Sequence, residues 1–423
     1  MKRGLSIDPD RLWAALAALG DIGGYDDEQT GLRGVNRLAL TAADGAGRRH
    51  VVARMKELGL EVTIDRIGNV FARRAGTEPT LAPVMIGSHI DSVPTAGRFD
   101  GCLGVLGGLE VLATLNDARR QTRRSVVVAF FTEEEGCRFG TDMLGSAVAT
   151  GRLPLEQAWE LRDQAGRRVR DELESIGFLG EHEARLAPPH AYLECHVEQG
   201  PVLRAAGRDL GVVKGVQAIR WHEVVITGRA AHAGTTPMSL RADAGVAASR
   251  INLQLRELIA SGRFGSELRA TMGAFTPQPG LVNIVPGRVR CTVDLRHPDG
   301  AAMERAEAEL VEFYARVERE EQVRLAWRRT AATPFVPFDA GVQERIASAA
   351  SARGFSHEPI VSGAGHDAQE LARVGRAGMI FVPGEYDGIS HNPREFSTPA
   401  QCAAGINVLV DVVLSFADEG AAR

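Results

Sequence analysis

Aromatic side chains make up only 5% of this 423-residue chain, and cysteine occurs five times. Cys102, Cys137, Cys195, Cys291 and Cys402 are scattered, odd in number and never spaced C-x-x-C. That excludes a disulfide framework or a zinc knuckle and points to a reduced, cytoplasmic setting. A block of positive charge is also missing. Forty-nine Lys and Arg stand against 54 Asp and Glu, for a net charge of −5, so no nucleic-acid footprint is expected. The arginine-dense stretches "GRRVR" and "RQTRR" read as solvated loops or helix ends. No stretch is expected to span a membrane, and the N-terminal "MKRGLSIDPDRLWAALAALGD" is broken by charge and offers no small-residue cleavage site. "GCLGVLGG" lacks the G-x-G-x-x-G order of a dinucleotide loop, and "GTDMLGS" is not a nucleophile elbow. Internal repeats and low-complexity segments are missing too.

What remains is an ordinary globular composition, 44% hydrophobic and 24% charged, on a chain long enough for two cores. "DRLWAALAALG" and "GRRHVVARMKELGL" carry helical periodicity. The alternation in "EVTIDRIGNVFARR" and the apolar runs in "APVMIGSH", "RSVVVAFFTEEEG" and "GMIFVPG" predict strands, with "GVLGGLEVLATLND" as a helix between two of them. This is an α/β pattern, a mixed sheet flanked by helices, assigned to residues 1–211 and 333–423. Residues 212–332 change character. There "WHEVVITGRAAHAG" and "RVRCTVDLRHPDG" read as half-exposed strands, while "DAGVAASRINLQLRELIAS" and "AAMERAEAELVEFYARVEREE" read as amphipathic helices, predicting an inserted α+β domain. Met303, Ala306, Leu310, Phe313 and Val317 form one apolar stripe, which is core packing.

Ligand-type residues gather where the buried strands end, the position at which open α/β sheets place their sites. His89 and Asp91 follow one strand in "GSHIDSVPTAGRFDG", and Asp100 lies in a glycine-flanked turn of the same stretch. "FFTEEEGCRFG" places Glu133, Glu134 and Glu135 after the next strand, His196 lies in "YLECHVEQGPVL", and His391 in "FVPGEYDGISHNPREFS". Histidines with carboxylates and no thiolate are a ligand set for Zn²⁺, Mn²⁺, Co²⁺ or Ni²⁺. Each piece alone is a common structural feature. Their order carries the signal.

In that order the chain resembles, over essentially its whole length, the dinuclear metallopeptidases of aminoacylase and carboxypeptidase type, the M20 peptidase superfamily. The resemblance implies two divalent cations per subunit, one held by His89, Asp100 and His196 and the other by Asp100, Glu135 and His391. Asp100 would bridge them, since two cations a few ångströms apart repel and call for a shared anion. The resemblance also gives Glu134 the role of general base, and Asp91 that of accepting the free ring N–H of His89. Glu133 reads as structural.

The text "HVEQG", together with "GRFDG", "GTDMLGS" and "GRAAHAGTTPM", resembles the hydantoinase/carbamoylase branch of that superfamily. That branch contains N-carbamoyl-L-amino-acid amidohydrolases, allantoate amidohydrolases and β-ureidopropionases. The expected reaction is hydrolysis of the ureido C–N bond of an N-carbamoyl-L-amino acid to amino acid, ammonia and carbon dioxide. Allantoate hydrolysis and then β-ureidopropionase activity are the alternatives, and a catalytically inactive metal-dependent binding protein is the non-enzymatic one. Strand alternation puts Arg290, Thr292, Asp294 and Arg296 on one polar face. The resemblance assigns Arg296 and Asn283 to the carboxylate of a small ureido-carboxylate substrate and Gln199 to its ureido end. It gives His232 the oxyanion of the tetrahedral state. "VSGAGHDAQEL" adds a glycine-rich loop whose backbone N–H groups, at Gly365, are expected to face the substrate, with His366 and Asp367 structural or supporting the ligands from behind. The insert is expected to pair subunits into a homodimer and to act as a lid.

Overall fold

The computed structural model of the protein describes residues 4–420, so the first three residues of the N-terminal stretch read above lie outside it. The chain forms two compact units, one made of the residues up to Gly215 and from Pro337 onward, the other of Val216–Val336. The junctions fall at 216 and 336 where the sequence suggested 212 and 332. Strand pairing explains both displacements. Strand Leu210–Val216 pairs with Ala377–Val382 through Gly211, Val212 and Val213, which keeps the chain in the first unit through Gly215, while strand Arg324–Thr333 pairs with Ala218–Thr227 and holds the chain in the second.

Four strands of the large mixed sheet, Ala377–Val382, Ala191–Val197, Val84–His89 and Val126–Phe131, run parallel to their neighbours in that order. Leu210–Val216 flanks them antiparallel on one side, and Val70–Arg74 followed by Glu61–Ile64 on the other. Every residue of the four parallel strands is buried, which is why they read as continuous apolar runs. Helix Cys102–Asp117 packs against them closely enough to exclude side chains. A Cβ at Gly104 would lie 2.8 Å from both the Cys195 carbonyl oxygen and Ser88 Cβ, and one at Gly108 would lie 3.0 Å from Ile86 Cγ2. Gly104 and Gly108 of "GCLGVLGG" therefore let the helix approach the sheet, while Gly107, whose Cβ would meet Ile406 at 2.2 Å, lets helix Pro399–Ala417 approach it.

Helix Pro399–Ala417 departs from the expectation that no stretch approaches a membrane span. Its 19 residues have a mean hydropathy of 1.6 over the most apolar window, long and apolar enough to cross a bilayer. Ile406, Leu409, Val413 and Phe416 are nevertheless buried in the core of the first unit, so the apolarity serves packing. Thr398 and Gln401 close a capping box at its start, with Pro399 in the first turn.

In the second unit an antiparallel sheet is centred on Arg288–His297 and Ala218–Thr227, with Arg269–Thr271, Phe275–Gln278 and Arg324–Thr333 beside them. Helices Ala244–Ala260 and Gly300–Glu320 share one core with Val224, Ile226, Val289, Cys291, Val293 and Leu295. The stripe Met303, Ala306, Leu310, Phe313, Val317 is buried as expected, but it also carries Glu307 inward. That carboxylate is paired, with His222 Nε2 at 2.9 Å and Arg329 Nε at 2.8 Å, which makes its burial tolerable.

Gly104→Val forces three carbon atoms onto the Cys195 carbonyl and Ser88. Overpacking of this kind destabilises by about 1–3 kcal/mol. The apparent Tm of the variant is expected to fall by several degrees in thermal unfolding, and an unchanged or raised Tm would contradict the packing role.

Candidate metal centre

The parallel strands deliver the ligand-type residues to one end of the sheet. His89 is the last residue of Val84–His89 and lies opposite Phe131, while His196 sits near the end of Ala191–Val197 opposite Phe381. Asp100 immediately precedes Gly101, the N-cap of helix Cys102–Asp117. Gly101 has φ +64°, and a Cβ there would lie 2.5 Å from His89 Nε2, so the turn that presents Asp100 beside His89 admits only glycine.

Glu134 and Glu135 follow strand Val126–Phe131 in a loop fastened from several directions. Arg48, fully buried and paired with Asp44 at 2.7 Å, donates to Gly68 O and to Thr132 Oγ1, and Asn69 Oδ1 accepts Thr132 N–H. Glu133 adopts φ +54° and its Oε1 accepts the backbone N–H groups of Arg138 and Phe139 at 3.0 and 2.8 Å, so it ties down the loop.

Asp100 is the centre of the arrangement. Its Oδ1 lies 3.5 Å from His89 Nε2 and 3.2 Å from His196 Nε2, and its Oδ2 lies 3.4 Å from His391 Nε2. His391 Nε2 is also 3.4 Å from Glu135 Oε2. Two groups, His89–Asp100–His196 and Asp100–Glu135–His391, each bring their donor atoms within 4.8 Å of one another. For metal–ligand bonds of about 2.1 Å, tetrahedral ligands stand about 3.4 Å apart, which is the spacing observed. His89 Nδ1 faces Asp91 O at 3.0 Å and His196 Nδ1 faces Val197 O at 2.8 Å, which leaves both Nε2 atoms as acceptors, that of His196 taking the Gly101 N–H at 3.0 Å.

The electrostatics agree with a cation site. Among the described residues, the ion-pair partners of Asp100, Glu134 and Glu135 are histidines, with no Lys or Arg. Burial pushes the Glu134 carboxyl well up, and burial together with the Asp100 charge takes Glu135 up to about 8. Burial would raise Asp100 as well, but hydrogen bonds from His196, His391 and His89 hold it well below the usual range. His391 is raised to about 9 against the effect of burial, by its hydrogen bond to Asp100 and the charge of Glu135. Buried carboxylates with this little compensation call for positive charge. Glu135 Oε1 is buried without a hydrogen-bond partner, as expected of an atom reserved for a ligand. A third cluster, Glu194–His196–His366, is already committed. Glu194 accepts from Ser88 Oγ, Tyr192 OH and Ala368 N, and His196 Nδ1 serves Val197 O.

Two expected contacts are drawn differently. The free ring nitrogen of His89 donates to the backbone carbonyl of Asp91, whose carboxylate lies 3.8 Å away. That carboxylate faces the N–H groups of Glu134 and Glu135, at 3.4 Å each, because the loop after Phe131 folds back over it. Gln199 Nε2 donates to Asp100 Oδ2 at 2.8 Å, leaving its buried Oε1 without a partner. Gly365 lies in the loop before helix Asp367–Leu371, against Met143.

His232, Asn283 and Arg296 belong to the second unit. His232 lies in a two-residue strand, and its Nδ1 accepts the N–H groups of Gly234 and Thr235 at 3.0 and 3.2 Å. In the neutral ring the proton then sits on Nε2, making that atom a donor. Asn283 O accepts Ala233 N–H beside it. Arg296 is paired with Asp294 through Nε and Nη2 at 3.0 and 2.8 Å. Glu395 and Ser390, which reach the Asp100 loop, were missed by the sequence reading. The nearest signal was their position flanking His391 in "SHNPRE".

Comparison with known proteins places the chain in a family. The chain is 40% identical over 420 residues to an N-carbamoyl-L-amino-acid amidohydrolase of Rhizobium meliloti, covering 97% of each chain. It is 34% identical over 387 residues to an allantoate amidohydrolase of Bacillus subtilis (strain 168), covering 91% of this chain and 93% of that one. The crystal structure of an amidase of the hydantoinase/carbamoylase family from Burkholderia vietnamiensis superposes with a TM-score of 0.94 at 42% identity, covering 99% of this chain and 100% of that one. With residues 85–415 matching Peptidase family M20/M25/M40 as well, the chain belongs to that family and, within it, to the hydantoinase/carbamoylase amidases.

Proposed function

We propose that the protein hydrolyses the ureido C–N bond of N-carbamoyl-L-amino acids with two divalent cations, which His89, Asp100 and His196 and Asp100, Glu135 and His391 would hold. The observation that carries this reading is the division of the Asp100 oxygens between His89 with His196 on one side and His391, next to Glu135, on the other, in a chain 40% identical to such an amidohydrolase. Bound there, the cations would supply Lewis-acid polarisation of the ureido carbonyl and acidify the attacking water. Zn²⁺, Mn²⁺, Co²⁺ and Ni²⁺ all suit the donor set.

The chain's own residues do the rest. Glu134, whose Oε2 lies 3.5 Å from His89 Nε2, takes a proton from the attacking water and returns it to the leaving nitrogen. The C–N bond breaks, ammonia leaves, and the resulting carbamate loses carbon dioxide to give the amino acid. His232 donates from Nε2 to the carbonyl oxygen as negative charge develops. Arg296 and Asn283 hold the substrate carboxylate, which requires Arg296 to share its guanidinium with or exchange it from Asp294. Gln199 and the backbone at Gly365 hold the ureido end. The inserted unit pairs two copies into a homodimer and closes as a lid. Met238, Leu240, Leu253, Leu281 and Val282, each more than half exposed within it, support an interface role. Free cysteines fit a cytoplasmic setting.

The second reading, allantoate hydrolysis, is favoured by the similarity to the Bacillus subtilis enzyme and uses the same site. The test is ammonia release from N-carbamoyl-L-amino acids, their D forms, allantoate and N-carbamoyl-β-alanine, with protein reconstituted separately with each of the four cations. Fastest release from an N-carbamoyl-L-amino acid is expected, a preference for allantoate installs the second reading, and no release from any of them contradicts both. Glu134→Gln is expected to retain the cations by elemental analysis yet lose at least about 100-fold in kcat, because an amide is not a base. Near-normal turnover would remove Glu134 from the mechanism.

A further inference from the structure

Glu395 is almost fully buried, carries no Lys or Arg ion pair among the described residues, and is a member of neither of the two candidate ligand groups. Its two oxygens are both in use. Oε1 accepts the backbone N–H groups of Phe99 and Asp100 at 2.9 and 3.1 Å, and Oε2 accepts the hydroxyl of Ser390 at 2.7 Å. The residues it joins, 99 and 100 on one loop and 390 on the other, lie almost 300 positions apart in sequence. They flank or include Asp100 and His391, which the proposed function places on a shared cation. The approach is tight, since a Cβ at Gly97 would fall 2.5 Å from Glu395 Cβ and 2.8 Å from Oε1. Phe99 and Phe396 meet edge to face with ring centroids 5.8 Å apart, closing the same seam.

The Ser390 hydroxyl has one proton and two acceptors in reach, Glu395 Oε2 at 2.7 Å and Asp100 Oδ2 at 3.2 Å. The shorter contact takes the proton to Glu395. Without that carboxylate the proton would turn to Asp100 Oδ2, which already accepts Gln199 Nε2 at 2.8 Å, and put a second donor on the oxygen that faces His391. An acceptor-only side chain at 395 therefore does two things at once: it sets the Asp100 main chain against the His391 loop, and it keeps a Ser390 proton off the bridging carboxylate.

We propose that Glu395 is a positioning residue of the cation site, acting through Asp100 and Ser390 rather than as a ligand. The proposal rests on the two-cation reading, and its test reads cation binding instead of ureido hydrolysis. Wild type, Glu395→Ala and Glu395→Gln, stripped of metal, are titrated with Co²⁺ alone and followed by visible absorption, with thermal unfolding of the apo forms alongside. Loss of a residue that orients ligands lowers metal affinity by about 10- to 100-fold. That loss, with an altered cobalt spectrum, is expected for Glu395→Ala. Glu395→Gln keeps an oxygen for the Phe99 and Asp100 N–H groups but presents an amide to Ser390, so its affinity is expected between the other two. A folded Glu395→Ala protein that binds Co²⁺ with wild-type affinity and spectrum overturns the proposal, whatever its apo stability. Should Glu395→Ala fail to fold, Glu395→Gln decides, with weakened binding in support and wild-type binding against. A wild type that takes up no Co²⁺ defeats the two-cation reading and this proposal with it, an outcome distinct from equal binding by wild type and variant.

Discussion

Asp100 has one charge and two oxygens, and the first unit is arranged so that those oxygens face different partners. Oδ1 looks to His89 and His196, which two parallel strands bring to the same end of the sheet, and Oδ2 looks to His391 on a distant loop. A buried carboxylate in such a place is costly unless positive charge meets it. Among the described residues its ion-pair partners are imidazoles, with Gln199 and Ser390 donating to Oδ2, and burial disfavours the charged forms of neighbouring Glu134 and Glu135. The site is thereby short of cations by construction, and metal binding would remove that deficit.

The close approach that this requires explains the glycines around Asp100. Gly97, Gly101 and Gly104 each sit where a side chain would collide, with Glu395, with the His89 ring, and with the Cys195 carbonyl and Ser88 respectively. One short stretch thus meets the distant loop, the ligand and the sheet within eight residues. Backbone freedom matters at Gly101, where φ is positive, but packing sets the other two.

The five ligand-type residues were legible in the sequence because each follows or ends a recognisable strand or motif, and because their order along the chain matches a family. The alternation of Val289, Cys291, Val293 and Leu295 with polar neighbours was legible for the same local reason, and the strand buries those four. Contacts that depend on where loops fold back were not legible. Asp91 looked like a carboxylate for His89, but its backbone carbonyl takes the ring N–H and its side chain faces the Glu134–Glu135 loop. Gln199 reaches Asp100, and Glu395 joins segments almost 300 residues apart, neither of which any spacing rule reports. The unit boundaries slipped because strand pairing, which sequence does not specify, decides which sheet claims residues 212–215 and 333–336.

The claim on which the account turns is that one carboxylate serves two cations. Crystals grown with Zn²⁺ and measured on both sides of the zinc absorption edge test it most directly. Two anomalous peaks per chain are expected, one ringed by His89, His196 and an oxygen of Asp100, the other by His391, Glu135 and the second oxygen of Asp100. A single peak, or one centred on Glu194, His196 and His366 instead, would contradict it.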